Sequence, residues 1–268
     1  MQKFAMNLRH DGVRVALVPT MGALHSGHVG LIRRARKLAG AKGLVIVSIY
    51  VNPAQFNDAR DLRAYPRALA LDKKLCRQEG VNVVFAPSEM YASNASVFVE
   101  ENTIARGMEG DSRPGHFCGV ATIVVKLFNL VMPNIAVFGE KDWQQTALIK
   151  RVVRDLDLSL SVSTVSTVRE PDGLAVSSRN VHLDDSQRSQ AVVLWQAICL
   201  ARKAARSESL RGLKQKVRLF IEKQPDARVE YVEFFDEQTM KTVKPRRGAR
   251  MAVAAIIGKT RLIDNARI

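Results

Sequence analysis

Apolar and polar positions along the first two thirds of the chain predict strands and helices taking turns. Val13, Val15, Leu17 and Val18 read as a strand cut by Pro19. A loop of small residues follows, Met21-Gly22-Ala23-Leu24. His25-Ser26-Gly27-His28 then opens a helical run, with Leu31, Ile32, Ala35 and Leu38 on one side and Arg33, Arg34, Arg36 and Lys37 on the other. Residues 44–51 are almost continuously apolar, as a parallel strand covered on both faces requires. That strand delivers Asn52-Pro53-Ala54-Gln55-Phe56. After Tyr65-Pro66-Arg67 a helix is expected to Gln78, with Leu71 and Leu75 inward, then a stop at Gly80 and a strand over 81–86. Residues 96–101 read as one more short strand. A loop over 113–117 leads into a helix over 120–130, with Val124, Leu127 and Val131 on its buried face and Pro133 ending it. A strand over 135–138, a helix over 143–156 and an alternating, half-exposed strand over 158–168 complete the series. The pattern predicts an α/β fold, a Rossmann-like doubly wound parallel sheet spanning residues 1–168.

Beyond 168 the pattern changes. Asp172-Gly173 makes a turn, Ser177-Ser178-Arg179-Asn180 follows, and Ser186 is expected to cap a long helix to about residue 206. A second helix over 210–223 and strands over 228–235 and 251–257 complete a smaller α+β domain, 169–268, hinged on 169–180. No internal repeat interrupts either part.

Composition changes this picture little. A 268-residue chain that is 47% hydrophobic and 25% charged is ordinary for a globular protein. Cys76, Cys118 and Cys199 are far apart and outside any CxxC spacing, which fits reduced thiols and neither a disulfide frame nor a zinc site. No apolar run approaches the roughly 20 residues that cross a bilayer, and the first twelve residues lack the apolar core of a signal peptide. A soluble, cytoplasmic protein is expected. The net charge of +15 raises the case for nucleic acid. Against it, the basic residues are dispersed apart from Lys244-Pro245-Arg246-Arg247 and Arg250, and the aromatic share of 6% offers no stacking platform. Solvated helix faces and anionic small substrates account for the excess, with no nucleic-acid partner.

The chemistry lies where strands end. Strand, glycine loop and helix start form a phosphate-binding arrangement, because the first-turn N–H groups and the positive end of the helix dipole point into the loop. His25 and His28 can donate hydrogen bonds to a phosphate whose charge is rising, and Gly27 lacks the Cβ that would hold a nucleotide off. Asn52 and Gln55 offer amide donors and acceptors suited to a small hydroxy acid. Lys141 supplies a point charge for phosphate, Asp142 can accept from ribose hydroxyls, and Ser177, Ser178 and Arg179 suit a triphosphate.

HxGH in this context is the signature of the adenylate-transferring α/β superfamily. The longer string PTMGALHSGH closely resembles the pantothenate synthetase (pantoate–β-alanine ligase) family. VNPAQF, YPR, RPGHF, FGEKDWQQ, DGLAVSSRN and RLIDN follow in the family's order, so the resemblance covers the chain from Gly12 onward. It implies an AMP-forming ligase that makes a carbon–nitrogen bond. Pantoate and ATP, with Mg²⁺, would give a pantoyl adenylate and pyrophosphate, and β-alanine's amine would then displace AMP. Position by position, it implies ATP along Met21, Gly22, Ala23, Leu24, His25, Ser26, Gly27 and His28, with His28 as general acid. Gly139, Glu140, Lys141, Asp142, Val168, Val176, Ser177, Ser178 and Arg179 would complete the nucleotide site. Gln55 and Gln145 would hold pantoate, with Gln55 facing β-alanine as well, Asn52 nearby, and Arg113 and His116 as anion contacts. Asp72 would face magnesium through water, the 169–268 domain would act as a lid, and the assembly would be a homodimer. Departures are Val176, where Met or Leu is common, Cys118, often a larger polar residue, and the lack of the strand-like segment that the family usually carries before the helix that here begins near Gln2. Two rivals are another HxGH nucleotidyltransferase, such as one adenylating phosphopantetheine, and a basic nucleic-acid-binding protein on a synthetase-like fold. Release of AMP rather than a stable adenylylated product would separate the first, and salt-sensitive RNA binding without ATP turnover would favour the second.

Overall fold

The chain opens with α1 (Gln2–His10) and enters β1 (Val15–Thr20), of which Val15, Ala16, Leu17 and Val18 are buried. Pro19 does not end this strand. The parallel ladder from β1 to β2 (Leu44–Ile49) runs on through Pro19 and Thr20, whereas the ladder from β1 to β4 (Ile135–Gly139) stops at Leu17. On that second side Pro19 breaks no ladder bond, which is where a strand tolerates a residue without an N–H. Between β1 and β2 lies α2 (Ser26–Ala39), which buries Leu31, Ile32, Ala35 and Ala39 at helical spacing and ends at Gly40, whose φ is 77°.

A 3₁₀ turn, Pro53–Gln55, follows β2 and leads to α3 (Ala59–Ala64) and α4 (Leu69–Gln78). The inward face of α4 carries Asp72 and Cys76, one turn apart, and not the expected leucine: Leu71 is 69% exposed. β3 (Val83–Phe85) closes one edge of the sheet. The segment 96–101 is extended but pairs with no strand, leaving Val97 and Phe98 exposed, so the strand expected there is absent. After α5 (Glu109–Ser112) comes α6 (His116–Val131), buried nearly all round. Gly115, at φ 80°, turns the chain into it, so the helix starts inside the expected loop. α7 (Trp143–Asp155) leads to the half-buried β5 (Ser161–Val165) at the other edge. The five strands are parallel in the order β3-β2-β1-β4-β5. The strand order reverses beside β1, the place where such sheets bind ligands at their carboxyl edge.

The computed structural model describes all of residues 1–268. They form two units: Met1–Gly139 with Gln144–Ser166, and Glu140–Trp143 with Thr167–Ile268. Hence the four residues Glu140–Trp143 leave the first sheet's unit for the second.

In the second unit Asp184, not Ser186, caps the next helix, accepting from Gln187 N at 2.8 Å. That helix is in two parts, α8 (Asp185–Ala191) and α9 (Val193–Ala204), followed by α10 (Leu210–Ile221). Leu213, Val217 and Ile221 recur every fourth residue on the buried face of α10, each contributing about 1.5–3 kcal/mol. They pack on β6 (Ala227–Phe235) and β7 (Arg250–Ile257), and β8 (Thr260–Arg267) completes an antiparallel sheet in the order β6-β7-β8. β8 carries the RLIDN string. No helix of the chain is long and apolar enough to cross a membrane.

Candidate active site

In the first unit the glycine loop is held from outside itself. Thr20 Oγ1 donates to Ser48 O at 2.7 Å and accepts from Gly22 N at 3.2 Å. Asp72, 2% exposed, accepts from Ala23 N at 3.0 Å and Leu24 N at 2.8 Å. Both its oxygens are committed to the loop, an arrangement unlike the water-shelled magnesium contact expected of it. Gly22, at φ 85°, is required here, since a Cβ would lie 3.0 Å from Asp72 Oδ2.

The two histidines cap α2 with their rings. Gly27 N donates to His25 Nδ1 at 3.2 Å, and His25 N donates to His28 Nδ1 at 3.2 Å. A backbone N–H needs a ring nitrogen without hydrogen, so in the neutral rings the proton sits on Nε2. The rings lie 4.1 Å apart. The helix start thus carries two Nε2–H donors set by the backbone, beside its own first-turn N–H groups. Gly27 also leaves room for the ring, since a Cβ there would sit 2.9 Å from His25 Cε1.

The turn after β2 is built the same way. Asn52 is fully buried, donating from Nδ2 to Gln55 Oε1 at 2.9 Å and to Gly119 O at 3.1 Å. Arg113 and His116, expected as anion contacts, both address the backbone oxygen of Gln55, at 3.2 and 2.8 Å. Gly119 lies so close that a Cβ would be 2.2 Å from Ala54 O. Tyr91 brings a buried hydroxyl beside Asn52, its pKa pushed up to about 12 by burial first and then by Tyr50, with a hydrogen bond from Asn52 acting the other way. Gln144 is buried on the carbonyls of Ile104, Arg106 and Gly107, whereas its neighbour Gln145 is half-buried with no protein partner.

In the second unit, two neighbours in β8 hold two segments. Asn265 Nδ2 donates to Glu140 O at 3.0 Å and Lys141 O at 2.6 Å, which fixes the Glu140–Asp142 turn. Arg250, 3% exposed, bonds Asn265 Oδ1 at 2.5 Å and Glu140 at 3.2 Å. Asp264 takes Arg169 through two bonds of 2.6 and 2.8 Å, just after Val168, and Arg169 also stacks on Trp195 at 3.7 Å. Gly173 at φ 98° fits against that indole, where a Cβ would meet Trp195 Cδ1 at 2.0 Å. This anchors the chain leading to buried Val176 and half-buried Ser177, Ser178 and Arg179. Ser177 Oγ accepts from Arg179 N at 3.3 Å, and Lys141 lies 3.7 Å from Asp142.

The family model for pantoate–β-alanine ligase matches residues 1–267. The chain belongs to the pantoate–β-alanine ligase family. Pantothenate synthetase of Akkermansia muciniphila is 48% identical over 261 residues, 96% of this chain and 92% of that one. The Aquifex aeolicus protein of that name is 43% identical over 273 residues, 100% and 96% of the two chains. Among solved structures, pantothenate synthetase from Thermus thermophilus aligns with a TM-score of 0.89 at 40% identity, covering 98% and 97%. The ligase of this family from Francisella tularensis, solved with β-γ ATP and β-alanine, aligns at 0.81 and 35% identity, covering 99% and 95%.

Within this ligase fold the residues that sequence reasoning missed are the ones that hold others. Gly119, Arg169, Tyr91, Asp264 and Asn265 had no motif role. The signal for two of them was present: RLIDN was noted as a string, but nothing local says that its Asp and Asn grip segments 95 and 125 residues away.

Proposed function

We propose that this chain condenses pantoate with β-alanine to pantothenate, converting ATP to AMP and pyrophosphate through a bound pantoyl adenylate. The orientation of the two imidazoles carries the reading. Each Nδ1 is tied to a backbone N–H, so each ring presents an Nε2–H donor at a helix start without needing a net charge. That is the equipment for charge appearing on a phosphate as its bond to pyrophosphate breaks.

In the first step a pantoate carboxylate oxygen attacks the α-phosphorus and the bond to pyrophosphate breaks. His28 and His25 donate to the phosphates, with Lys141, Ser177, Ser178 and Arg179 of the second unit assigned to the triphosphate. Met21, Gly22, Ala23, Leu24, Ser26, Gly27, Gly139, Glu140, Asp142, Val168 and Val176 are assigned to the rest of the nucleotide. Gln55 and Gln145 hold pantoate, which sets the oxygen in line. In the second step the neutral amine of β-alanine attacks the acyl carbon and AMP departs, the ammonium proton going to solvent. No enzyme nucleophile is needed, and Cys76 could not serve: it is buried, and burial followed by Asp72 pushes its thiol up to about 11.

ATP enters this reading as its magnesium salt. No three His, Cys, Asp or Glu side chains converge to hold an ion, and Asp72 is committed to the loop. The cation's ligands would then be phosphate oxygens and water, the usual habit of Mg²⁺. A homodimer in the cytoplasm is the setting we propose, with the free cysteines fitting the latter.

The test is isotope exchange between pyrophosphate and ATP. It is expected with pantoate alone and without β-alanine; exchange that needs β-alanine would sink the adenylate. His28→Asn keeps an acceptor where Nδ1 stands and deletes the Nε2–H. Its exchange rate is expected to fall by roughly 10²–10³, and a rate near that of the parent would remove His28 from the chemistry.

A further inference from the structure

We infer that Asn52 is a positioning residue that dictates which end of the Gln55 amide faces the substrate, making this part of the acid subsite a donor and never an acceptor. The inference rests on Gln55 holding pantoate and adds what sets its polarity.

An amide side chain has two nearly isosteric ends of opposite character, so a binding site that uses one must specify which end points outward. At Asn52 the backbone makes that choice. Its Oδ1 faces an N–H, that of Ala54 at 3.3 Å, and its Nδ2 faces a carbonyl, that of Gly119 at 3.1 Å. Turning Asn52 over would set oxygen against oxygen and donor against donor. The second hydrogen of Nδ2 is therefore aimed at Gln55, and only Oε1 of Gln55 can receive it, at 2.9 Å. Gln55 must then present Nε2, with hydrogens that no protein group takes. Its main chain is held as well, by Arg113 and His116 on its carbonyl oxygen. The order of command runs from the carbonyl of α6 through Asn52 to Gln55.

A subsite with this polarity accepts carboxylate, hydroxyl and carbonyl oxygens and rejects an ammonium. It sorts the two organic substrates: the oxygen-rich hydroxy acid is favoured there over the amine end of β-alanine. Asn52, with no exposed surface, touches neither.

The experiment compares Gln55→Ala, Asn52→Asp and Gln55→Glu by steady-state kinetics for pantoate and for ATP between about pH 5.5 and 8. In Asn52→Asp an ionised carboxylate replaces the amide and cannot donate, so Gln55 turns over to give it Nε2 and presents Oε1. Pantoate's KM is expected to rise about tenfold or more at the high end, with kcat and the KM for ATP within twofold. Acidification restores one donor as O–H where Nδ2 had two, so pantoate's KM should recover in part, a recovery the parent protein does not show. Gln55→Glu keeps the bond from Asn52 but points an acceptor outward, so it should lose and regain pantoate in the same direction. Should Asn52→Asp fail to fold, Gln55→Glu decides alone. Pantoate kinetics within twofold of the parent at every pH in the folded variants would overturn the inference. So would KM values for pantoate and ATP rising together with no recovery in acid, the mark of a merely structural residue. Gln55→Ala separates the two claims: if it leaves pantoate's KM unchanged, the assignment of Gln55 fails, whatever Asn52 does.

Discussion

Adding one methyl group at Gly119 should cost this protein both stability and its acid substrate. A Cβ at that position would sit 2.2 Å from Ala54 O, 2.4 Å from Ala54 C and 2.9 Å from Gln55 N, all backbone atoms that cannot rotate away. Carbon approaches a carbonyl oxygen to about 3.3 Å without strain, so α6 and the Pro53–Gln55 turn must part by roughly 1 Å. Overpacking of this kind costs about 1–3 kcal/mol, which at roughly 2–4 °C per kcal/mol is a readily measured drop in melting temperature. Parting the two elements also weakens the bond from Asn52 to Gly119 O and moves Gln55. A displacement of that size at a reacting group can cost about 10² in rate. The assay is kcat/KM for pantoate, with the KM for ATP and a melting curve for Gly119→Ala, and Cys118→Ala as a neighbouring control. Pantoate efficiency should fall by one to two decades while ATP binding holds. A Gly119→Ala protein with the parent's melting temperature and pantoate efficiency would refute the reasoning, since the contact would then have been relieved without moving the turn.

Asp72→Ala strands two loop N–H groups, each worth roughly 1–3 kcal/mol if left unpaired. It should lower the melting temperature and raise the KM for ATP while leaving the magnesium dependence of the rate unchanged; a shift in magnesium requirement alone would return Asp72 to the metal. Asn265→Ala removes both donors to the Glu140–Asp142 turn and an acceptor of Arg250, so ATP's KM should rise severalfold with pantoate's unaffected, as measured by substrate titration. Burial pushes the Glu237 carboxyl up, but Arg267 and Arg250 more than reverse it, leaving it below its ordinary value. The unfolded chain therefore takes up that proton first, and the stabilisation is complete above the ordinary carboxylate range and lost as pH falls through the lower folded value. Replacing Glu237 with Gln should flatten the acid limb of a stability–pH curve, and an unchanged limb would count against the pairing.

The parallel sheet was legible because its signals are local: the aliphatic runs of β1, β2 and β4 and the turn residues that follow each are readable within a window of ten residues. The start of α2 was legible too, but not its cap: His25 and His28 read as phosphate donors, and only the fold sets their rings against backbone N–H groups. What else escaped depends on partners remote in the chain. Nothing near Asp72 announces the loop 48 residues away that it holds, and helical periodicity placed Leu71 inward because it cannot know that an acid will outrank a leucine for the buried face. Residues 96–101 have the composition of a strand but no neighbour to pair with, and pairing is a property of the fold. Arg113 and His116 stand out by charge, but that they also hold the carbonyl oxygen of Gln55, some 60 residues away, is visible only in the fold.

The cap of α2 also bears on how this protein can be improved. By the ordinary rules of helix initiation a histidine is a poor choice, and Ser, Asp or Asn at position 25 is the substitution a stability-guided redesign would select. Such a change would satisfy Gly27 N and be scored as a gain. It would also delete one of the two Nε2–H groups and unseat the ring against which His28 lies. Sequence optimisers trained on thermal tolerance are thus steered toward a robust but inert protein at this position, and any library built for heat resistance should hold 25 and 28 constant.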